Sequence, residues 1–277
     1  MCNGSIMDKL ISFSLPLMVS GILQLAFNAV DIIVVGRFSG SQALAAVGST
    51  TALINVFTNL FIGISLGANV LAARFYAAGK DREMSETVHT SITLALISGI
   101  MMAVIGVLLA KWALEIMGTP DDVIGQSALY MRIYFMGMPF FMLYNYGAAI
   151  LRAIGDTKRP LIFLIISGIA NAALNMILVI LFHMGVAGVA IGTIISQLIS
   201  CVLVLTCLYR SEGSYQLRFS KLKINGAYME QIFQVGVPAG IQSTVINLSN
   251  ALLQSSVNSF GSIAMAGYTY LGSFICQ

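Results

Sequence analysis

One carboxylate lies deep inside an apolar stretch of this sequence. Of the 11 acidic residues, ten fall in polar segments or at the ends of apolar runs, and Asp31 alone lies well inside one. An ionisable group within a membrane span is costly unless it faces the protein interior or a water-filled cavity, where it marks an ion or substrate pathway. Asp31 is therefore the primary candidate for chemistry, as a group that binds a proton or another cation.

Amide and hydroxyl side chains accompany Asp31 at helical spacing. In the first apolar run, residues that recur four, four and three positions apart share one helix face; they are Ser20, Gln24, Asn28 and Asp31. Later runs carry further polar faces: Asn55 and Asn59; Ser167, Asn171 and Asn175; Thr193, Ser196, Gln197 and Ser200. Interhelical hydrogen bonding explains a single Ser or Thr. Amides on several runs favour a wet central cavity, because an unpaired buried amide is costly.

Two further features of the apolar runs bear on function. Tyr130 and Asn145 belong to an aromatic and polar stripe that is typical of core packing, although ring faces next to a carboxylate also hold organic cations. Pro16 removes one backbone hydrogen bond inside the first run, which predicts a bend between Ser12 and Pro16. The bend is either a static kink or a hinge.

Composition places these residues in a membrane. The chain has 277 residues, of which 58% are hydrophobic and 9% charged, whereas a soluble domain carries about 25% charged residues. A bilayer crossing needs roughly 20 apolar residues, and the pattern predicts an all-α polytopic membrane protein. The predicted spans are 11–36, 45–73, 88–110, 127–151, 161–182, 187–209 and 232–257, with an eighth that begins near 263. Gly63 and Gly67 form a GxxxG pattern, which predicts close helix packing without a transport role.

The basic residues predict the orientation of the chain. With a cytoplasmic N-terminus, the outer side receives only Arg37, Lys111 and Arg132 of the 14 basic residues. The positive-inside rule therefore predicts a multi-pass protein of the plasma membrane with its N-terminus in the cytoplasm. The basic residues are dispersed among short loops and form no continuous stripe, so a nucleic-acid partner is not expected.

Other chemistries find little support in the sequence. The four cysteines show no CxxC spacing, and His89 and His183 are far apart, so we expect no metal site and no cofactor. An intramembrane enzyme would need paired acids or a Ser/His set at matching depth, and no such set is present. We expect a protein that is not an enzyme. A purely structural scaffold, the remaining alternative, would not depend on Asp31.

The sequence also contains an internal repeat. Residues 40–46 match residues 261–267 at an offset of 221, and the spans that precede them match at 222. The paired positions are Pro16 with Pro238, Asn28 with Asn250, and Phe38 with Phe260. Six spans separate the copies and return the chain to the same side, which predicts two parallel repeats as in alternating-access carriers.

The repeat predicts the domain organisation. We expect residues 1–209 to form an N-terminal six-helix lobe, residues 210–230 a cytoplasmic inter-lobe loop, and residues 231–277 the first one to two helices of a second lobe. Two full copies would need roughly 440 residues. The expectation is that the chain is a fragment.

The combined motifs resemble one family of transporters. The segments that carry the resemblance are 16–48, 63–79, 143–160, 184–193 and 237–242. Together they are similar to the multidrug and toxic compound extrusion (MATE) family, in the branch that includes the DNA-damage-inducible F type. The resemblance covers the whole chain and implies twelve helices in two six-helix lobes.

The resemblance also implies roles for individual residues. Asp31 matches a cation or proton site that draws on the positions of Asn171, Asn175 and Thr193. Tyr130 and Asn145 match polar positions that face the lobe interior, and with Gln24 and Asn28 they form the expected substrate cavity. Pro16 matches a proline proposed to bend when the acid is protonated.

Two departures from the family pattern concern the coupling ion. Many relatives carry Asp where this chain has Asn175, which puts a two-carboxylate sodium site in doubt. The seventh span has no acid from Gln231 onward, which leaves Asp31 as the coupling group.

These points lead to one functional expectation and one rival. We expect a monomeric antiporter that exports drug-like, cationic or amphipathic compounds by alternating access, with H+, or else Na+, as the coupling ion. The rival is a lipid-linked saccharide flippase of the same superfamily. A flippase should show more cationic residues inside its cavity than the single, outer-edge Arg132.

Overall fold

The structure is a bundle of long helices with short connections. The computed structural model describes the backbone of residues 6–275 and, apart from Ile6, Asp8, Lys9 and residues 270–275, their side chains. Over these residues the chain forms no strand. The helices are α1 (Ile6–Phe38), α2 (Gly40–Ala77), α3 (Asp81–Ile116), α4 (Asp121–Met136), α5 (Met138–Ala153), α6 (Lys158–Met176), α7 (Gly185–Arg210), α8 (Gly226–Asn258) and α9 (Ser262–Ile275).

Most of the predicted spans agree with these helices. Within the described part of the chain, five helices are long and apolar enough to cross a membrane: α1, α2, α3, α6 with the π-helical turn that follows it, and α7. The all-α membrane architecture is therefore confirmed. Many large apolar side chains on the bundle exterior are exposed, such as Leu108 and Leu181 at 72% each. Exposed apolar side chains of this kind are suited to lipid rather than to water.

The helix of the predicted fourth span is interrupted at one residue. Residues 127–151 are divided at Gly137 into α4 and α5, which have 16 residues each. Pro139 lies in the first turn of α5. Backbone N–H groups in a first turn have no partner within the helix, so a proline costs no hydrogen bond there. The break therefore lies where a proline is cheapest to accommodate.

The internal repeat is visible in the backbone. Helices α1 and α8 both have 33 residues, and each contains an internal proline, Pro16 or Pro238. The turn after each helix contains a glycine with positive φ, which is 86° at Gly40 and 89° at Gly261. Residues other than glycine rarely adopt this backbone conformation, because their side chain clashes with the backbone. The same glycine-dependent turn therefore follows both copies.

Helices α2 and α8 are in backbone contact. Gly63 lies against Gly240, and Gly67 lies against the backbone at Gly236, so the GxxxG of α2 meets a GxxxG of α8. The predicted packing role of Gly63 and Gly67 is confirmed. The partner pattern, Gly236 and Gly240, is as visible in the sequence, but it was not singled out there.

The connection between α7 and α8, which was expected to cover residues 210–230, is shorter and is docked onto the bundle. It covers residues 211–225, which we call the strap, because α8 already begins at Gly226. The Asn225 side chain accepts the Ala227 N–H at 3.1 Å and caps the helix there. Leu217 of the strap is fully buried. The strap is therefore anchored at its middle and at its end.

Candidate functional site

A part-buried polar cluster joins three helices around Asp31. The side-chain Nδ2 of Asn175 on α6 donates a hydrogen bond of 2.6 Å to Asp31 Oδ1 on α1. The same Nδ2 lies 3.3 Å from Asn171 Oδ1, one turn earlier on α6. Asn171 Nδ2 donates in turn to Thr193 Oγ1 of α7 at 3.4 Å. The structure thus brings together the four residues that were expected to bind the coupling ion.

The local sequence of α6 and α7 explains how this cluster forms. Asn171 and Asn175 are four residues apart on one face of α6 and are 6% and 0% exposed. Gly192 of α7 makes room for them, since any side chain there would collide with Asn175 Oδ1. Thr193 uses its hydroxyl proton on the Val189 carbonyl at 2.9 Å, so its oxygen faces Asn171 as an acceptor.

One acceptor of the cluster has no partner. Asn175 Oδ1 is buried and makes no hydrogen bond, which is unusual because buried polar atoms are nearly always paired. With the Asp31 carboxylate, it adds oxygen atoms to the cluster. Oxygen ligands of this kind suit a proton or a hard cation rather than a thiophilic metal. In the described part of the chain, no three His, Cys, Asp or Glu side chains lie together in a way that could hold a metal ion.

Two tyrosines of α4 stack on each other within electrostatic range of the carboxylate. The rings of Tyr130 and Tyr134 are stacked, with centroids 6.0 Å apart and an interplanar angle of 30°. Both phenols are close enough to Asp31 to interact with its charge. Tyr130 was expected to line the cavity, and Tyr134 belongs to the same predicted aromatic stripe, one turn later on the helix.

Three other expected residues do not belong to the cluster. Gln24 and Asn28 are exposed on α1, two turns and one turn before Asp31 respectively. Asn145 lies on α5, beyond the break, where its Nδ2 donates to the Phe141 carbonyl of its own helix at 2.8 Å. Their assignment to a substrate cavity stays a prediction.

Pro16 is placed in an uninterrupted helix. It is buried inside α1, which continues through it, and Ser20 Oγ donates to the Pro16 carbonyl at 2.8 Å. The carbonyl that a proline leaves free is Ser12 O, one turn earlier. The proposed hinge at Pro16 stays a prediction.

Long apolar helices around a part-buried carboxylate define a multi-pass membrane protein. The MatE family model matches residues 16–177, which is more than half of the chain. The chain belongs to this family, the multidrug and toxic compound extrusion (MATE) transporters.

Individual relatives agree with this assignment. "Probable multidrug resistance protein YoeA" of Bacillus subtilis (strain 168) is 34% identical over 265 residues, covering 92% of this chain and 57% of the relative. "Probable multidrug resistance protein YpnP" of the same organism is 27% identical over 274 residues, covering 96% and 59%. The chain therefore spans less than three fifths of the length of these curated relatives.

Solved structures show the same fold. A multidrug resistance MATE family transporter of the MOP superfamily in an inward-facing conformation superposes with a TM-score of 0.82. The sequence identity is 21%, and the match covers 95% of this chain and 60% of that one. At this identity the likeness concerns the fold.

Proposed function

We propose that this chain forms the ion-coupling lobe of an antiporter that exports organic, cationic or amphipathic compounds by alternating access, with H+ as the coupling ion. The observation that carries the proposal is the hydrogen bond of 2.6 Å from Asn175 Nδ2 to Asp31 Oδ1. It links α1 to α6 through a carboxylate that lies inside a membrane span. The multidrug resistance named for YoeA and YpnP supports drug-like substrates.

Protonation of Asp31 would change the strength of this link. A hydrogen bond to an ionised acceptor is roughly twice as strong as one between neutral groups. A proton on Asp31 therefore weakens the contact between α1 and α6. A ligand shifts a conformational equilibrium only if it interacts differently with the two states, and this contact provides such a difference.

The substrate would compete with the proton for the same carboxylate. Tyr130 and Tyr134 are stacked on each other within electrostatic range of Asp31, and ring faces attract organic cations. A cationic substrate and a proton then exclude each other through charge. This mutual exclusion is what an antiporter needs, because binding of one ligand expels the other.

The proposal favours H+ over Na+ because of Asn175. Its Nδ2 donates to Asp31. A sodium ion at Asp31 would need an oxygen ligand in the place of this N–H donor. A Na+ site of two carboxylates would need an acid in place of Asn175. Coupling to a pH gradient but not to a sodium gradient in vesicles is the expected result.

The remaining assignments follow from the same proposal. The uneven distribution of Lys and Arg, with Arg37, Lys111 and Arg132 alone on one side, supports a cytoplasmic N-terminus. The protein would act as a monomer in the plasma membrane, without a cofactor.

The decisive test removes the charge at Asp31. In the full-length protein, Asp31→Asn is expected to reduce proton-driven drug export by roughly tenfold or more, since a charged hydrogen bond contributes about 1.5 to 3 kcal/mol. Export is measured as loss of a fluorescent organic cation from proteoliposomes under an imposed pH gradient.

A matched control removes a carboxylate elsewhere. Asp122 lies exposed in the first turn of α4, and Asp122→Asn should leave export unchanged. Normal proton-coupled export by Asp31→Asn would rule out the proposed role.

A further inference from the structure

A basic groove lies between the beginning of α3 and the strap. Its volume is about 590 Å³, and its lining includes Arg82 and Ser85 of α3 and Lys221 and Lys223 of the strap. It is separate from the Asp31 cluster, with which it shares no residue. The transport proposal leaves it without a role.

The groove carries an excess of positive charge. Its only lining carboxylate, Glu86, has both oxygens engaged: Oε1 accepts from Arg82 Nε at 3.0 Å and Oε2 accepts from Asn225 Nδ2 at 2.8 Å. Among the described residues, neither Lys221 nor Lys223 makes an ion pair. Two ammonium groups are therefore available to an anionic ligand.

The strap holds its lysines opposite α3 through backbone contacts. The Arg218 N–H donates to Nε2 of the buried His89 at 3.1 Å, and the other ring nitrogen, Nδ1, lies 2.6 Å from the Ser85 carbonyl. At the end of the strap, the Asn225 N–H donates to Thr90 Oγ1 at 3.2 Å. These contacts bracket Lys221 and Lys223, so the groove is formed by fixed backbone on both walls.

The groove lies where two helices enter the apolar bundle. α3 has no charged residue between Glu86 and Lys111, and α8 begins directly after the strap. Tyr228 in the first turn of α8 contacts the Phe75 ring edge-to-face, with centroids 5.6 Å apart. Tyrosines of this kind are enriched at the membrane interface, at the level of the lipid headgroups.

We propose that this groove binds the phosphate of an acidic phospholipid headgroup, which bridges Arg82 of α3 and the two lysines of the strap. A phosphate provides several acceptor oxygens for the guanidinium and ammonium donors. A headgroup at this level needs no route through the bilayer to reach the groove. Bound there, it joins the strap to α3 and slows local opening of residues 211–225.

The first test compares bilayers that differ in headgroup charge. The protein is placed in nanodiscs of phosphatidylcholine alone or of an equal mixture of phosphatidylcholine and phosphatidylglycerol. Hydrogen exchange of residues 211–225 should be slower in the acidic bilayer. Equal exchange in both bilayers would overturn the proposal.

The second test removes the two lysines. Each lysine near an acidic surface contributes about fivefold to affinity, so Lys221→Gln with Lys223→Gln should weaken retention of phosphatidylglycerol, seen by native mass spectrometry, by roughly thirtyfold. The control is Arg74→Gln with Lys158→Gln, which removes the same charge from exposed positions outside the groove. An equal loss in the control would show general surface attraction and overturn the site.

A third arm separates lipid from soluble phosphate. Glycerol 3-phosphate is added to protein in phosphatidylcholine nanodiscs, and exchange of the strap is measured again. No protection is expected, because the soluble compound lacks the membrane anchoring that concentrates a lipid at the groove. Full protection by glycerol 3-phosphate would assign the groove to a soluble phosphate compound and overturn the lipid assignment.

Discussion

Helices α1 and α8 are two copies of one element with different chemistry. Both have 33 residues, both contain an internal proline, and both end at a turn with a positive-φ glycine. Yet α1 presents Asp31 to α6, whereas α8 lies with its glycines against α2. The repeated backbone is therefore not sufficient to make an ion site.

The position in α8 that corresponds to Asp31 carries no acid. At the offset of 222, Asp31 aligns with Leu253, which is 57% exposed. This copy therefore carries an apolar side chain where α1 carries the acid. The proposed coupling site combines the acid of α1 with Asn171 and Asn175 of α6, and the repeat of the α1 backbone alone does not supply these partners.

The largest expected effect tests whether the acid can be moved between the copies. In the Asp31→Asn background, Leu253→Asp should not restore export, which stays roughly tenfold or more below the unmodified protein. The reason is that α8 offers the new acid no amide donor. Drug efflux from proteoliposomes measures this, with Leu253→Asp alone as the control for folding. Recovery of export would show that the two copies are interchangeable.

A smaller effect is expected at the glycine contact of α8. A methyl group at Gly236 would lie 2.5 Å from Ile64 Cα, so Gly236→Val should lower the free energy of unfolding by about 1 to 3 kcal/mol. The matched change is Gly21→Val in α1, where nothing lies within 4 Å of an added Cβ. Thermal unfolding in detergent compares the two. A similar loss of stability for both variants would contradict the asymmetry between the copies.

The smallest effect should be the same in both copies. Gly40→Ala and Gly261→Ala each force a side chain into a positive-φ conformation, which costs about 1 to 2 kcal/mol. Because φ is 86° and 89°, the two losses should agree. The same unfolding measurement applies, and unequal losses would show that the turns are not structural equivalents.

The positions of the helices were largely predictable, because each apolar run is long and bounded by charged or glycine-rich segments. The break at Gly137 was missed since the run from 127 to 151 stays apolar through it. Pro139 was the available signal, as a proline rarely continues a helix interior. The loop before α8 was predicted to end at residue 230 because the run free of charged residues begins only at Gln231, whereas α8 already begins at Gly226.

The site was predictable in its members but not in its contacts. Residue spacing predicted the acid of α1 and the polar faces of α6 and α7. The resemblance to the family predicted that they form one site. Spacing alone gives no sign that Asn145 bonds its own helix at the Phe141 carbonyl while Asn175 reaches across to Asp31. Tertiary packing decides whether a polar side chain hydrogen-bonds to the nearby backbone or to a distant partner.

The contact between α2 and α8 has a mechanical consequence. Because the helices touch through glycines, their backbones lie closer there than side chains at these positions would allow. From Gly240 to Asn258 the helix extends roughly 27 Å, so a tilt of about 10° would displace its far end by about 5 Å. Asn258 Nδ2 now lies 3.1 Å from the Met117 carbonyl. A tilt of this size about the glycines would separate Asn258 from Met117, while the contact between α2 and α8 at the glycines would be kept.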